Sequence, residues 1–245
     1  MFLIFVGESN DQKRASNAFS CFLCITLNLA DEIPLIIQDQ TIIAHKHRGL
    51  MIHDTLVISD VHFGKVNHFR KAGIALPSAA IEANFNRLKN LILQYNPVQV
   101  AFLGDFFHSD INAEWRLVSE FLKNPEFHCR WLLIEGNHDV LDPRFYADAN
   151  LELMPFLSIG KFLLTHEPME TVPEGFTNVH GHIHPGIRLR GKARQSFSVA
   201  CYHLSKQHLC MPAFGELTGL AIRKNKKNDR IFAVTDEGIF DVSNL

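Results

Sequence analysis

Thr55-Leu56-Val57-Ile58-Ser59-Asp60-Val61-His62 is a short apolar run that ends in a carboxylate and an imidazole two residues apart. A strand buried on both faces reads as a continuous apolar run, and open α/β sheets bind ligands just beyond the carboxyl ends of their strands. Four further runs have the same form. Val100-Ala101-Phe102-Leu103 leads into Gly104-Asp105, and Trp131-Leu132-Leu133-Ile134 leads into Gly136-Asn137-His138-Asp139. Phe162-Leu163-Leu164-Thr165 leads into His166, and Asn178-Val179 into Gly181-His182-Ile183-His184. Any one of these is weak; together they predict five strand ends converging on one point.

The donor types predict a metal site. Carboxylate, imidazole and amide oxygen together suit manganese, iron or zinc. Two divalent cations need a carboxylate that offsets their repulsion, and Asp105 is the natural bridge. Asp60 and His62 have a two-residue spacing that turns both side chains to one side of an extended backbone, as do His182 and His184.

Around these runs the chain alternates β and α and then turns to β. Leu35 to Ala44 and Gly49 to His53 read as a first pair of strands. A helix is expected from Pro77-Ser78, with Ile81, Phe85, Leu88, Leu91 and Ile92 at helical spacing. A second is expected over 112–124 and a short third over 142–149. Beyond residue 150, segments 151–158, 161–165, 176–181, 196–203, 207–211, 218–223, 230–235 and 238–242 read as short strands. The pattern predicts an α/β fold of two stacked sheets flanked by helices in one domain, residues 34–245. Residues 1–33 fit no part of it and read as an N-terminal extension, disordered or a mispredicted start. Lys13, Arg14 and the apolar run from Phe19 imitate a signal peptide poorly, since acidic residues come first and Asn28 breaks the run.

Composition narrows the function classes. The 245 residues carry a formal net charge of −2, so bulk charge points to neither nucleic acid nor membrane, and a DNA contact needs a local patch. No apolar stretch is long enough to span a bilayer. Five cysteines, with one CxxC pair at Cys21 and Cys24, form neither a disulfide framework nor a complete zinc site, and fit a reduced, cytoplasmic protein. His45, His47, His53, His68, His128, His203 and His208 read as ordinary histidines.

The ordered motifs DxH, GD, GNHD, H and GHxH, over about residues 55–185, resemble those of the calcineurin-like metallophosphoesterases. That resemblance implies a four-layer αββα sandwich of mixed sheets. It implies that Asp60, His62 and His184 hold one metal, that Asn137, His166 and His182 hold a second, and that Asp105 bridges them. Two divalent ions are implied, manganese first, with iron or zinc also accepted. His138 would be the substrate-side catalytic histidine, kept in position by Asp139, and a hydroxide bridging the metals would attack phosphorus. Lys65, Arg70 and Lys71, just after DxH, and His108, just after Asp105, are candidate substrate-binding residues. No membrane partner is expected.

Three longer stretches are similar to the bacterial ligase-associated DNA damage response endonucleases of PdeM type. They are Gly64 to Pro77 (GKVNHFRKAGIALP), Gly104 to Ser109 (GDFFHS) and Met211 to Gly219 (MPAFGELTG). This similarity implies a DNA phosphodiester substrate and association with a DNA ligase and a helicase. Protein phosphatases of the superfamily carry GDxxDRG, where this chain has Phe106-Phe107-His108-Ser109-Asp110. A cyclic-nucleotide or nucleotide phosphodiesterase, or a non-catalytic binding module on the same fold, are the alternatives.

Overall fold

Three of the five apolar runs form parallel strands in the first of two sheets, and the other two form parallel neighbours in the second. A computed structural model describes residues 29–65, 79–108, 110–190, 196–216 and 218–244. The first sheet contains β1 (Glu32–Ile37), β2 (Gln40–His45), β3 (Leu50–Ile52), β4 (Thr55–Ile58), β5 (Gln99–Leu103), β6 (Arg130–Ile134) and β7 (Leu151–Met154), side by side in that order. β1 to β4 pair antiparallel and β4 to β7 parallel. The parallel strands need crossovers, which α1 (Ala79–Tyr95), α2 (Ala113–Leu122) and α3 (Pro143–Asp148) supply. α2 starts at Asn112, whose side chain accepts from the backbone N–H of Glu114 and Trp115; Asp142 caps α3, with Pro143 in its first turn.

The second sheet is mixed. It contains β8 (Leu157–Ile159), β9 (Phe162–Thr165), β10 (Thr177–His180), β11 (Pro185–Arg190), β12 (Ser196–Ser205), β13 (His208–Cys210) and β14 (Ala221–Ile222), in the order β14-β11-β12-β13-β10-β9-β8. β15 (Arg230–Val234) pairs with β12 and with β16 (Ile239–Asp241).

Alternation along the central strands divides the core. Leu56, Ile58, Val100, Phe102, Trp131 and Leu133 face the helices, packing with Leu88 and Leu91 of α1 and Trp115 and Val118 of α2. Val57, Ala101, Leu103, Leu132 and Ile134 face the second sheet, against Phe162, Leu164, Val179, Tyr202 and Leu209. On the outer face of the second sheet lies a small cluster including Ile187, Cys201 and Phe240. The described helices all cover the first sheet, so the described residues fill three of the four expected layers.

The stretch expected as one strand from Leu35 to Ala44 is a hairpin. Gln38 and Asp39 take φ values of 51° and 61°, the left-handed pair of a tight two-residue turn, with no glycine to announce it. The 151–158 segment is divided at Pro155 into β7 and β8, and β11, whose Pro-Gly start reads as a turn, is an unforeseen strand. β1 begins at Glu32 and Ala30 bridges Ile239, so residues just inside the expected extension join the sheets. The expected start of α1 at Pro77-Ser78, most of the extension, and Cys21 and Cys24 lie outside the described residues. Cys129, Cys201 and Cys210 are free thiols. No described helix is long and apolar enough to cross a membrane.

Candidate active site

At the carboxyl edge of β4, β5 and β6, and of β9 and β10 opposite, the expected donors come together in two sets. Asp60, His62, Asp105 and His184 place their ligand atoms within 4.8 Å of one another, and so do Asp105, His166 and His182. Asp105 belongs to both. In the first set His184 Nε2 stands 3.3 Å from Asp60 Oδ1 and 3.3 Å from His62 Nε2. In the second, Asn137 Oδ1 stands 3.0 Å from His166 Nε2 and 3.1 Å from His182 Nδ1.

The hydrogen bonds behind these atoms decide what they can do. His166 Nδ1 lies 2.8 Å from the Leu103 carbonyl oxygen, an acceptor, so Nδ1 carries the proton and Nε2 presents a lone pair. That lone pair faces the amide oxygen of Asn137 and, at 3.4 Å, the carboxylate of Asp105. Acceptors turned on one another at these distances repel, and a cation among them reverses the sign. Burial pushes the His62 imidazole down to about 3, with Lys65 adding to the effect, so its ring is neutral and able to ligate. Asp60 is held below the usual carboxylate range: burial alone would raise it, but hydrogen bonds from His184 and Ser59 outweigh burial. The donor chemistry fits divalent cations. Asn137 and His182 are exposed while Asp60 and Asp105 are buried, so the cluster opens to solvent on one side.

Its backbone is not the extended one expected from the two-residue spacing. Asp60, His62, Asp105, His182 and His184 have φ values of 50°, 51°, 49°, 65° and 51°. Left-handed backbone at a non-glycine residue costs about 1–3 kcal/mol, and such strain concentrates at functional sites. The convergence therefore comes from the chain coiling sharply off each strand end. Gly104 (φ 72°) precedes Asp105, and a Cβ there would strike the His166 ring. A Cβ at Gly181 would fall on Ser59 Oγ and Asp60 Oδ2.

Backbone bonds lock the strand-end loops together. His62 N donates to Asp105 O at 2.9 Å, Phe63 N to Phe106 O at 2.9 Å and His108 N to Phe63 O at 2.7 Å. Asp60 takes both His182 N contacts, at 3.1 and 3.0 Å, tying the two sheets at the site. His138 N donates to Asp105 Oδ1 at 3.0 Å.

Asp139 differs from the expectation that it orients the His138 ring. Its Oδ1 accepts from Phe106 N and Phe107 N at 2.8 and 3.1 Å, and its Oδ2 from Gly136 N at 2.9 Å. It thus fastens the loop of His138 to the loop of Asp105. Burial pushes this carboxyl up to about 6 against the opposing effect of those three N–H groups. The His138 ring itself lies 4.0 Å from the His108 ring and 5.8 Å from that of His62, centroid to centroid. His108 is therefore at the site, and Lys65, half-buried, is near enough for Asp105 to raise its pKa against the lowering by burial. Arg70 and Lys71 lie outside the described residues.

Two supports escaped the sequence reading. Ser59 donates to Asp60 Oδ2. The 213–216 segment backs the same strand end: Phe214 N donates to Ser59 O at 2.8 Å and Gly215 N to Asp60 O at 3.1 Å. Arg48 Nη1 in turn donates to Ala213 O and Gly215 O, at 3.1 and 3.4 Å, and Arg87 Nη1 to Phe214 O at 2.8 Å. Arg87 also pairs with Glu216 and lies 5.2 Å over the Phe214 ring. In sequence this segment stood out only as part of the MPAFGELTG stretch that carries the endonuclease resemblance.

The family profile described as calcineurin-like phosphoesterase matches residues 53–232, spanning every strand end of the site. The chain belongs to the calcineurin-like phosphoesterases. Like other metallophosphoesterases it is a hydrolase whose family uses divalent metals. No curated protein sequence matches the chain. Among solved structures, the nuclease MPE of Pseudomonas putida is 24% identical with a TM-score of 0.72, over 86% of this chain and 100% of that one. Yfce, a phosphoesterase from E. coli, is 15% identical with a TM-score of 0.42, over 77% of this chain and 98% of its own. The first likeness bears out the two-sheet sandwich of the metallophosphoesterase fold.

Proposed function

We propose that this chain is a two-metal phosphodiesterase acting on DNA, with manganese as its preferred ion. The observation that carries the reading is the pair of donor sets meeting at Asp105, with lone pairs facing one another. Asp60, His62 and His184 would hold one ion and Asn137, His166 and His182 the other, with Asp105 shared. Divalent ions so held lower the pKa of water from about 15.7 towards 7 and offset charge on phosphate oxygens.

The chain's own groups do the rest. His138, on the loop fixed by Asp139 and beside the rings of His62 and His108, would give a proton to the leaving oxygen. A diester leaves an alkoxide that needs such an acid. Lys65 supplies positive charge beside Asp105, suited to the phosphate oxygens. The Pseudomonas putida neighbour is a nuclease, and the GKVNHFRKAGIALP and MPAFGELTG stretches resemble DNA-repair endonucleases; both favour DNA over a small diester. The resemblance alone suggests a DNA ligase and a helicase as partners and a cytoplasmic setting.

Metal-stripped protein should be assayed on bis-p-nitrophenyl phosphate and p-nitrophenyl phosphate with manganese, zinc or magnesium added in turn. Manganese-dependent cleavage of the diester, lost in Asp105→Ala, is expected. Folded protein that turns over neither ester with any metal would make the site a binding module and sink the proposal.

A further inference from the structure

On the far side of the 213–216 segment from Asp60 lies a second group of cations. β3 runs antiparallel to β4, with Leu50 opposite Val57, so the Lys46-to-Gly49 turn stands at the same sheet edge as Asp60. β15 reaches that edge too, since the pairings of Cys210 with His203 and of Cys201 with Ala233 make it run in the direction of β13. Helix α1 presents Ala83, Arg87 and Asn90, four and three residues apart, on one face. These three elements enclose a cavity of about 240 Å³ whose polar and charged walls include Lys46, His47, Arg48, Arg87, Asn90 and Asp236. Liquid water takes about 30 Å³ per molecule, so a phosphate group fits with hydration to spare.

Three cations stand in that wall together with Asp236, whose charge acts on Arg48 and Arg87. Lys46 pairs with Asp31 at 2.8 Å and Arg87 with Glu216. Arg48 is held by the carbonyls of Ala213 and Gly215, and among the described residues no carboxylate pairs with it. His47 stays neutral in this setting: burial first, then the charges of His45, Arg87 and Lys46, push it down to about 4. Among the described residues of the lining, His47 carries the one aromatic ring. Cationic and amide donors grouped in this way suit an oxyanion.

We propose that this cavity binds a phosphate of the substrate strand that flanks the phosphate being cleaved. The inference rests on the phosphodiesterase reading above and adds a second contact to it, so that the enzyme engages a polyanion and not an isolated diester.

Asn90→Asp, isosteric and on the exposed side of α1, and Lys46→Ala test this without touching the metal site. Fluorescence anisotropy of a short single-stranded DNA oligonucleotide on metal-stripped protein gives binding apart from catalysis. Each variant should bind about tenfold more weakly, with the slope of log affinity against log salt shallower by about 0.7, the value for one phosphate on a single strand. KM for the oligonucleotide should rise correspondingly, while kcat and KM for bis-p-nitrophenyl phosphate stay as in wild type. Wild-type oligonucleotide affinity in both variants overturns the proposal. So does a loss confined to inorganic phosphate binding, which would mark a site for free phosphate. Weakened oligonucleotide binding in an otherwise diester-inactive protein would instead keep the cavity and overturn the catalytic reading.

Discussion

His138 and Asp139 are neighbours with separate tasks, and substitutions should separate them. His138→Ala removes the proposed acid while leaving seven candidate ligands in place. Its kcat on a diester should fall about 10²- to 10⁴-fold with metal binding unchanged; turnover within a few-fold of wild type would remove His138 from the reaction. Asp139→Ala removes two backbone bonds between the two loops and one within its own, so metal affinity should fall with activity. At Gly181 a methyl group would occupy the space of Ser59 Oγ and Asp60 Oδ2. Gly181→Ala should therefore lose metal and about 1–3 kcal/mol of stability in urea unfolding. The convergence of the candidate donors was legible because donors that follow apolar runs announce strand ends. The task of Asp139 was not, because its partners Phe106 and Phe107 are more than thirty positions away and are reached through the backbone. The left-handed backbone at five candidate ligands was equally hidden, since Asp and His carry no glycine-like signal.

Among the elements, the central strands were the most legible and the connections the least. β4, β5 and β6 are continuous apolar runs because both their faces are covered. The β1–β2 hairpin turns on Gln38 and Asp39, whose side chains give no strong turn signal, so two strands read as one. The 213–216 segment has no regular structure at all, yet it joins Arg48 and Arg87 to the strand end of Asp60. Arg48→Met should leave the fold intact and weaken metal binding about 10- to 100-fold, the size of effect seen when groups behind metal ligands are lost. Equal metal affinity in the variant would show that this segment does not position Asp60.

Across the whole molecule, the two sheets meet through an apolar layer with few polar ties. One is Tyr202, whose hydroxyl reaches from β12 to the His45 and Gly49 carbonyls at 2.9 and 2.7 Å. Tyr202→Phe should cost about 1 kcal/mol in denaturant unfolding, because only one donor is lost and both carbonyls keep other partners. Stability should also respond to acid. His47 is pushed down to about 4 in the folded chain, below the unfolded value of 6.5, so the unfolded state takes up its proton first. The contribution is complete above pH about 6.5 and is lost as pH falls towards 4. His47→Gln should flatten the melting temperature across that window, and an unchanged profile would assign the acid sensitivity elsewhere.

Whether Asp105 joins two cation sites is answered by titrating metal-stripped protein with manganese and counting the ions bound per chain. Two ions are expected in wild type, one in His182→Ala, and fewer than two in Asp105→Asn. A single ion in wild type, or two retained in Asp105→Asn, would show that Asp105 does not join two sites.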